Sequence, residues 1–291
     1  MKLQHLRWLA LGLLATSAQA IDLDALWDFR NPALSEQRFR AALAGASSDE
    51  ALILQTQIAR THGLRREFEK AREVLAAIEP QLTGAGAEAR CRHALELGRS
   101  LASATHRPEQ RTPQSDAAAR AAFERALAIA SGARLDALAI DAIHMFAFID
   151  TAPERQRHWA QEALAVSLAS DQPAARRWEA SIRNNLGVAL NGLKRHEEAL
   201  SEFQQALVLR ERQGANPHSI RVAHWMVAHT LRLLGRGDEA LAIQQRLERE
   251  NESAGTPDRY VFEELEALHR ARGDTERAEH YAARRKAAAG S

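Results

Sequence analysis

Twelve histidines, a single cysteine and a few clustered acids are the residues of this 291-residue chain whose types could do chemistry. A zinc site on a helix needs ligands at i and i+3 or i+4, so that they share one face. No two histidines keep that spacing, and His224 and His229 are five apart and diverge. The run His196-Glu-Glu-Ala-Leu200 has leucine where a metalloprotease helix needs its second histidine. Gly187 to Gly192 has the outline of a phosphate loop, but Leu193 stands where the essential lysine belongs. No G-x-S-x-G nucleophile elbow occurs. Cys91 would need an activating base that the sequence does not place, and it reads as a helix-start thiol near Arg90 and Arg92. Glu263, Glu264 and Glu266 read as acids that an early helical turn favours through its dipole. The expectation is no catalytic residue, no metal site and no cofactor.

Composition says what kind of scaffold carries these residues. The chain is 45% hydrophobic but only 5% aromatic, and it is rich in Ala, Leu, Arg and Glu, the strong helix formers. Strand-like Val, Ile and Thr runs are hard to find, so the class is all-α. The first twenty residues, "MKLQHLRWLALGLLATSAQA", follow signal-peptide grammar. Lys2 and Arg7 give the basic start, Trp8 to Ala15 the apolar core, and Ala18-Gln19-Ala20 the small-residue cleavage site. The apolar run is too short for a bilayer span of about 20 residues. Cleavage after Ala20 and export, most simply to a bacterial periplasm, are expected, with no membrane insertion afterwards. Without Lys2 and Arg7 the chain has 37 basic and 38 acidic residues. That balance and the absence of a basic stripe argue against a nucleic-acid partner. Cys91 has no second cysteine to pair with, and a large helical core does not need a disulfide.

The positioning elements repeat. "NNLGVALNGLKRHEEALSEFQQAL", from Asn184, is echoed by "WMVAHTLRLLGRGDEALAIQQRL" and then by "EELEALHRARGDTERAEHYAARR". Ala199, Ala240 and Ala278 fall at matched places, 41 and 38 residues apart, and Leu186, Val227 and Leu265 keep the same spacing. The pairs Lys194-Arg195, Gly235-Arg236 and Gly273-Asp274 mark turns between helix-period segments. Leu186-Gly187, Leu190, Ala199, Phe203 and Ala206-Leu207 resemble the tetratricopeptide repeat. Small residues at Gly187 and Ala199 let two antiparallel helices approach, and Leu186 and Phe203 fill the space around them. Weaker copies are legible upstream. One is Ala51 to Pro80. A second runs from Leu97-Gly98 to Ala126-Leu127, split by a polar insertion from His106 to Asp116. A third is "DAIHMFAFID" with the helix opened by Pro153. The expected architecture is a right-handed α-solenoid of about six hairpins over 49–291, preceded by a signal peptide (1–20) and a leading segment with one helix (21–48).

The resemblance implies a concave groove lined by the first helix of each hairpin. Carrying its register across gives Ser181, Asn184, Val188 and Asn191, then Val222, Trp225, His229 and Arg232, then Tyr260, Glu263 and Ala267. Upstream it gives Asp141, His144 and Phe148, then Arg92, Leu95 and Arg99, then Ile53, Thr56 and Arg60. Asn185, one position on from Asn184, belongs with them because asparagines near this place hold extended peptides in several such repeats. The ligand-binding candidates are therefore His144, Asn184, Asn185, Val188, Asn191, Trp225, His229 and Arg232, able to hydrogen-bond a peptide or stack on it. Arg60, Arg92 and Arg99 are candidate anion contacts. The two-lysine, two-asparagine clamp of chaperone-binding repeats is not reproduced. The function expected is a non-enzymatic scaffold for an unidentified protein or peptide. The alternatives are a scaffold that self-associates through the final helix, whose open face would include Ala278 and Ala282; a small-molecule sensor; and an enzyme acting through Cys91 or the His144 region.

Overall fold

The computed structural model describes residues 21–289, so the expected signal peptide lies outside the described residues. Two helices lead: a single turn, α1 (Leu23–Leu26), and α2 (Pro32–Ala42), which Asn31 caps through its side chain and Pro32 opens. Six antiparallel hairpins follow. They pair α3 (Ser48–Leu64) with α4 (Phe68–Ile78), α5 (Ala87–Leu101) with α6 (Pro113–Gly132), and α7 (Asp136–Phe146) with α8 (Pro153–Ala169). After the short α9 (Pro173–Arg176), α10 (Glu179–Gly192) pairs with α11 (His196–Arg212), α12 (Pro217–Leu233) with α13 (Gly237–Ser253), and α14 (Arg259–Ala271) with α15 (Thr275–Ala289). Each hairpin stacks on the next, so the molecule is an α-solenoid, and no strand occurs among the described residues.

Local chemistry sets the boundaries. Ser47 and Glu50 form a reciprocal capping box at the start of α3. The polar insertion inside the second hairpin spans 102–112, ending earlier than the expected Asp116, because Thr112 caps α6 and Pro113 is already its first residue. Seven helices end alike, with a residue of positive φ followed by a residue whose backbone N–H reaches the carbonyl five residues back. The positive-φ residues are Arg66, Arg134, Lys194, Gly214, Gly235, Gly255 and Gly273. In the repeat where the pattern is clearest, the Arg195 N–H donates to the Leu190 carbonyl at 2.9 Å. That geometry satisfies carbonyls that the helix end would otherwise orphan.

Packing follows the repeat. Phe203 and Phe123 are almost fully buried, and each lies against a glycine of the facing helix, Gly187 and Gly98. A Cβ built on Gly187 would sit 2.7 Å from Phe203 Cε1. The core is a chain of apolar clusters. One holds Cys91, Phe123 and Phe146; a larger one holds Leu186, Phe203, Leu231, Leu247 and Leu265. Ala278, expected on the open face of the final helix, is buried instead, and on α15 Tyr281 donates to Glu248 of α13 at 3.0 Å.

Candidate binding groove

The groove expected from the resemblance would be lined by the first helices of the hairpins, and near the middle of that series stands His144 of α7. The Asn185 Nδ2 amide of α10 donates to His144 Nδ1 at 3.2 Å, so the ring is the neutral tautomer with its proton on Nε2. Burial holds the His144 pKa below its ordinary value, which favours that state. Phe148 meets the ring edge-on at 5.3 Å between centroids, and Trp178 lies at 6.0 Å. His144 and Phe148 form a ridge between two cavities. One, about 180 Å³, is bordered by Trp159, Ile182, Asn185 and Val188; the other, about 240 Å³, by Arg60, Arg99, Asp141 and Trp178. Val188 is 44% exposed, and the half-buried Asn184 side chain makes no hydrogen bond among the described residues.

Towards the C-terminal end, Trp225 stacks on His229 at 4.9 Å and meets Tyr260 edge-on at 6.3 Å. His229 Nδ1 donates to Glu264 Oε1 at 2.9 Å, and Arg232 grips both oxygens of the same carboxylate at 2.8 and 2.9 Å. Burial pushes the Glu264 pKa up, but these donors outweigh it and hold the carboxyl below its ordinary value. Glu264 is 3% exposed, and Glu266 is also buried, bonded to Arg270 and Arg285. These acids are therefore cross-helix anchors and not solvated residues of an early turn. Asn191 is likewise committed within the chain: its Nδ2 donates to Thr230 Oγ1 at 2.8 Å, and its Oδ1 accepts from His196 Nδ1 at 2.9 Å.

At the N-terminal end the expected anion contacts are matched from inside. Arg99 donates to Glu96 at 2.5 Å and also to Asp141, Arg60 lies 3.8 Å from Glu96, and Arg92 bonds Glu88 at 2.8 Å. Burial opposes ionisation of Asp141, yet the neighbouring Arg99 and Arg60 keep its pKa below the ordinary value. Thr56 and Leu95, placed in the groove by the upstream register, are buried instead. The leading segment brings to Arg60 two aromatic residues that the repeat pattern did not point to. Trp27 and Phe29 stack at 4.6 Å, and Arg60 sits 5.7 Å from each ring. Trp178, just ahead of α10, was also missed, although a tryptophan immediately before a repeat's first helix is a usable signal.

Cys91 does not have the surroundings of an activated nucleophile. Cys91 is fully buried, donates its thiol proton to the Ala126 carbonyl at 3.4 Å, and has its pKa pushed up to about 12 by burial. No group of three or more His, Cys, Asp or Glu able to hold a metal ion occurs among the described residues. No helix among them is long and apolar enough to cross a membrane.

Residues 178–249 match the family model described as tetratricopeptide repeat, the stretch from Trp178 through most of α13. The apo form of RapI has a similar fold, with a TM-score of 0.66 at 12% identity over 89% of this chain and 73% of that one. A Rap protein complexed with competence and sporulation factor gives 0.57 at 13% identity, covering 92% and 76%. Aspartyl phosphate phosphatase F from Bacillus subtilis gives 0.55 at 15% identity, covering 88% and 75%. At these identities the likeness is one of fold. No curated protein matches the sequence.

Proposed function

We propose that this tetratricopeptide-repeat chain is a non-enzymatic recognition module that holds an extended peptide or protein segment in its concave groove. The observation that carries this reading is the inner face of α7, α10 and α12. There Asn184 has unfilled hydrogen-bonding capacity, Val188 is exposed, and the His144–Phe148 ridge separates two small cavities. Such a surface offers stacking and amide contacts on helices that are already ordered, so little conformational entropy is lost on binding. One protein of similar fold was solved as a complex with competence and sporulation factor, which supports a binding role for this architecture. Asn185 positions His144, whereas Asn191, His229 and Arg232 brace the groove wall. With residues 1–20 read as a signal peptide, the ligand would be met after export.

The test is selection of ligands from a random twelve-residue peptide display library. Wild type should enrich a sequence class, and an Asn184→Ala, Val188→Glu double variant with an unchanged helical circular-dichroism spectrum should bind those peptides at least tenfold more weakly. Equal enrichment by both proteins, or none by wild type, would sink the proposal.

A further inference from the structure

A mostly apolar cavity lies beyond the centre of the groove, and several of its polar groups are unmatched. It has a volume of about 580 Å³, within the range of small-molecule sites. Its walls come from the first half of α12, the end of α13, the 254–258 turn, the start of α14 and Ala288 near the end of α15. Val222, Met226, Leu247 and Val261 give the apolar lining.

Three polar side chains on this wall find no partner among the described residues. The Trp225 indole Nε1 and the Arg221 Nε are buried and bonded to nothing. Asn251 is 5% exposed, yet its side-chain amide makes no hydrogen bond among the described residues. Buried polar atoms are ordinarily satisfied, so the two orphaned nitrogens of Trp225 and Arg221 around one cavity mark a place built for a further group. The electrostatics select its sign. Arg221 and Arg259 border the cavity without an ion pair among the described residues, whereas Arg60, Arg92 and Arg99 at the other end of the groove are all matched by carboxylates. Among the described residues the only carboxylate on the cavity wall is Asp258, whose Oδ1 accepts from the Tyr260 N–H at 2.8 Å as the cap of α14.

The geometry points to a binding site for a small amphipathic organic acid: an apolar body against Val222, Met226, Leu247 and Val261, and a carboxylate head met by Arg221 with Trp225 and Asn251. Its excess of unpaired cations and its apolar walls together exclude a purely polar anion and a cationic amphiphile. This site does not depend on the peptide-groove reading.

Decanoate, with decylamine as the control of equal length and opposite charge, is titrated into the full chain while indole N–H resonances are followed by NMR. Decanoate should shift the Trp225 resonance saturably, leaving Trp27 and Trp159 unmoved, and decylamine should not. Arg221→Gln should weaken decanoate at least tenfold, while Arg92→Gln, at the far end, should not change it. An unmoved Trp225 signal, equal response to both amphiphiles, or unchanged decanoate affinity in Arg221→Gln would overturn the assignment. The comparison of amphiphiles uses wild type alone, so it stands even if a variant folds poorly.

Discussion

At the scale of single residues, the most informative positions are those where packing leaves no freedom. Gly187 exists because Phe203 occupies the space its Cβ would need, and the pair Gly98 and Phe123 repeats the solution. Gly187→Ala should therefore destabilise the protein by about 1–3 kcal/mol, as overpacking does, despite alanine's better helix propensity. Urea unfolding checks this, and trimming the ring in a Gly187→Ala, Phe203→Leu double variant should recover part of the loss. This pair was legible in sequence, because Leu-Gly and a later Phe stand at repeat spacing. The fate of polar groups was not. Asn184 and Asn191 are equivalent by spacing, yet only Asn191 meets partners, Thr230 and His196, because the neighbouring hairpin brings Thr230 to it. Arg99 read as a free cation for the same reason: Asp141, 42 residues away, is invisible to local pattern.

At the scale of elements, helix ends were readable where side chains or glycine set them. Pro153, Pro217, Gly235 and Gly273 sit where boundaries fall. The same C-terminal geometry is also made by Arg66, Arg134 and Lys194, which adopt positive φ without glycine's freedom. Replacing Lys194 by glycine should thus stabilise the protein by about 0.5–1 kcal/mol, the relief of left-handed strain outweighing glycine's entropy in the unfolded chain. Gly235→Ala should cost about 1 kcal/mol for the converse reason. Thermal or chemical denaturation of the two variants gives opposite signs if the cap geometry is right. The short α9 and the turn α1 left no periodic trace, being too brief to show a helical repeat.

At the scale of the molecule, the core is a series of clusters joined only to their neighbours, so disturbance should stay regional. Leu265→Ala, in the C-terminal cluster, should cost about 2–5 kcal/mol locally. Hydrogen exchange should quicken across α12–α15 and remain unchanged in α3 and α4. Uniform loss of protection would show a cooperative unit larger than the clusters suggest. The linear build also explains why the groove's two ends differ: each hairpin's charges are balanced by adjacent helices, and the balance differs from one hairpin to the next.

That the chain is all-helical, that its helices pair as tetratricopeptide-like hairpins, and which small and large residues pack within each pair could all be read along the chain. Those features depend on contacts a few turns apart, whose spacing is written along the chain. Only the tertiary structure decided which polar groups remain available. Glu264 closed off His229 and Arg232, Glu96 and Asp141 closed off Arg60 and Arg99, and Arg221 and Asn251 were left unpaired. A charge is free or spent according to what successive hairpins bring within hydrogen-bond reach, and that is a property of stacking, not of repeat spacing.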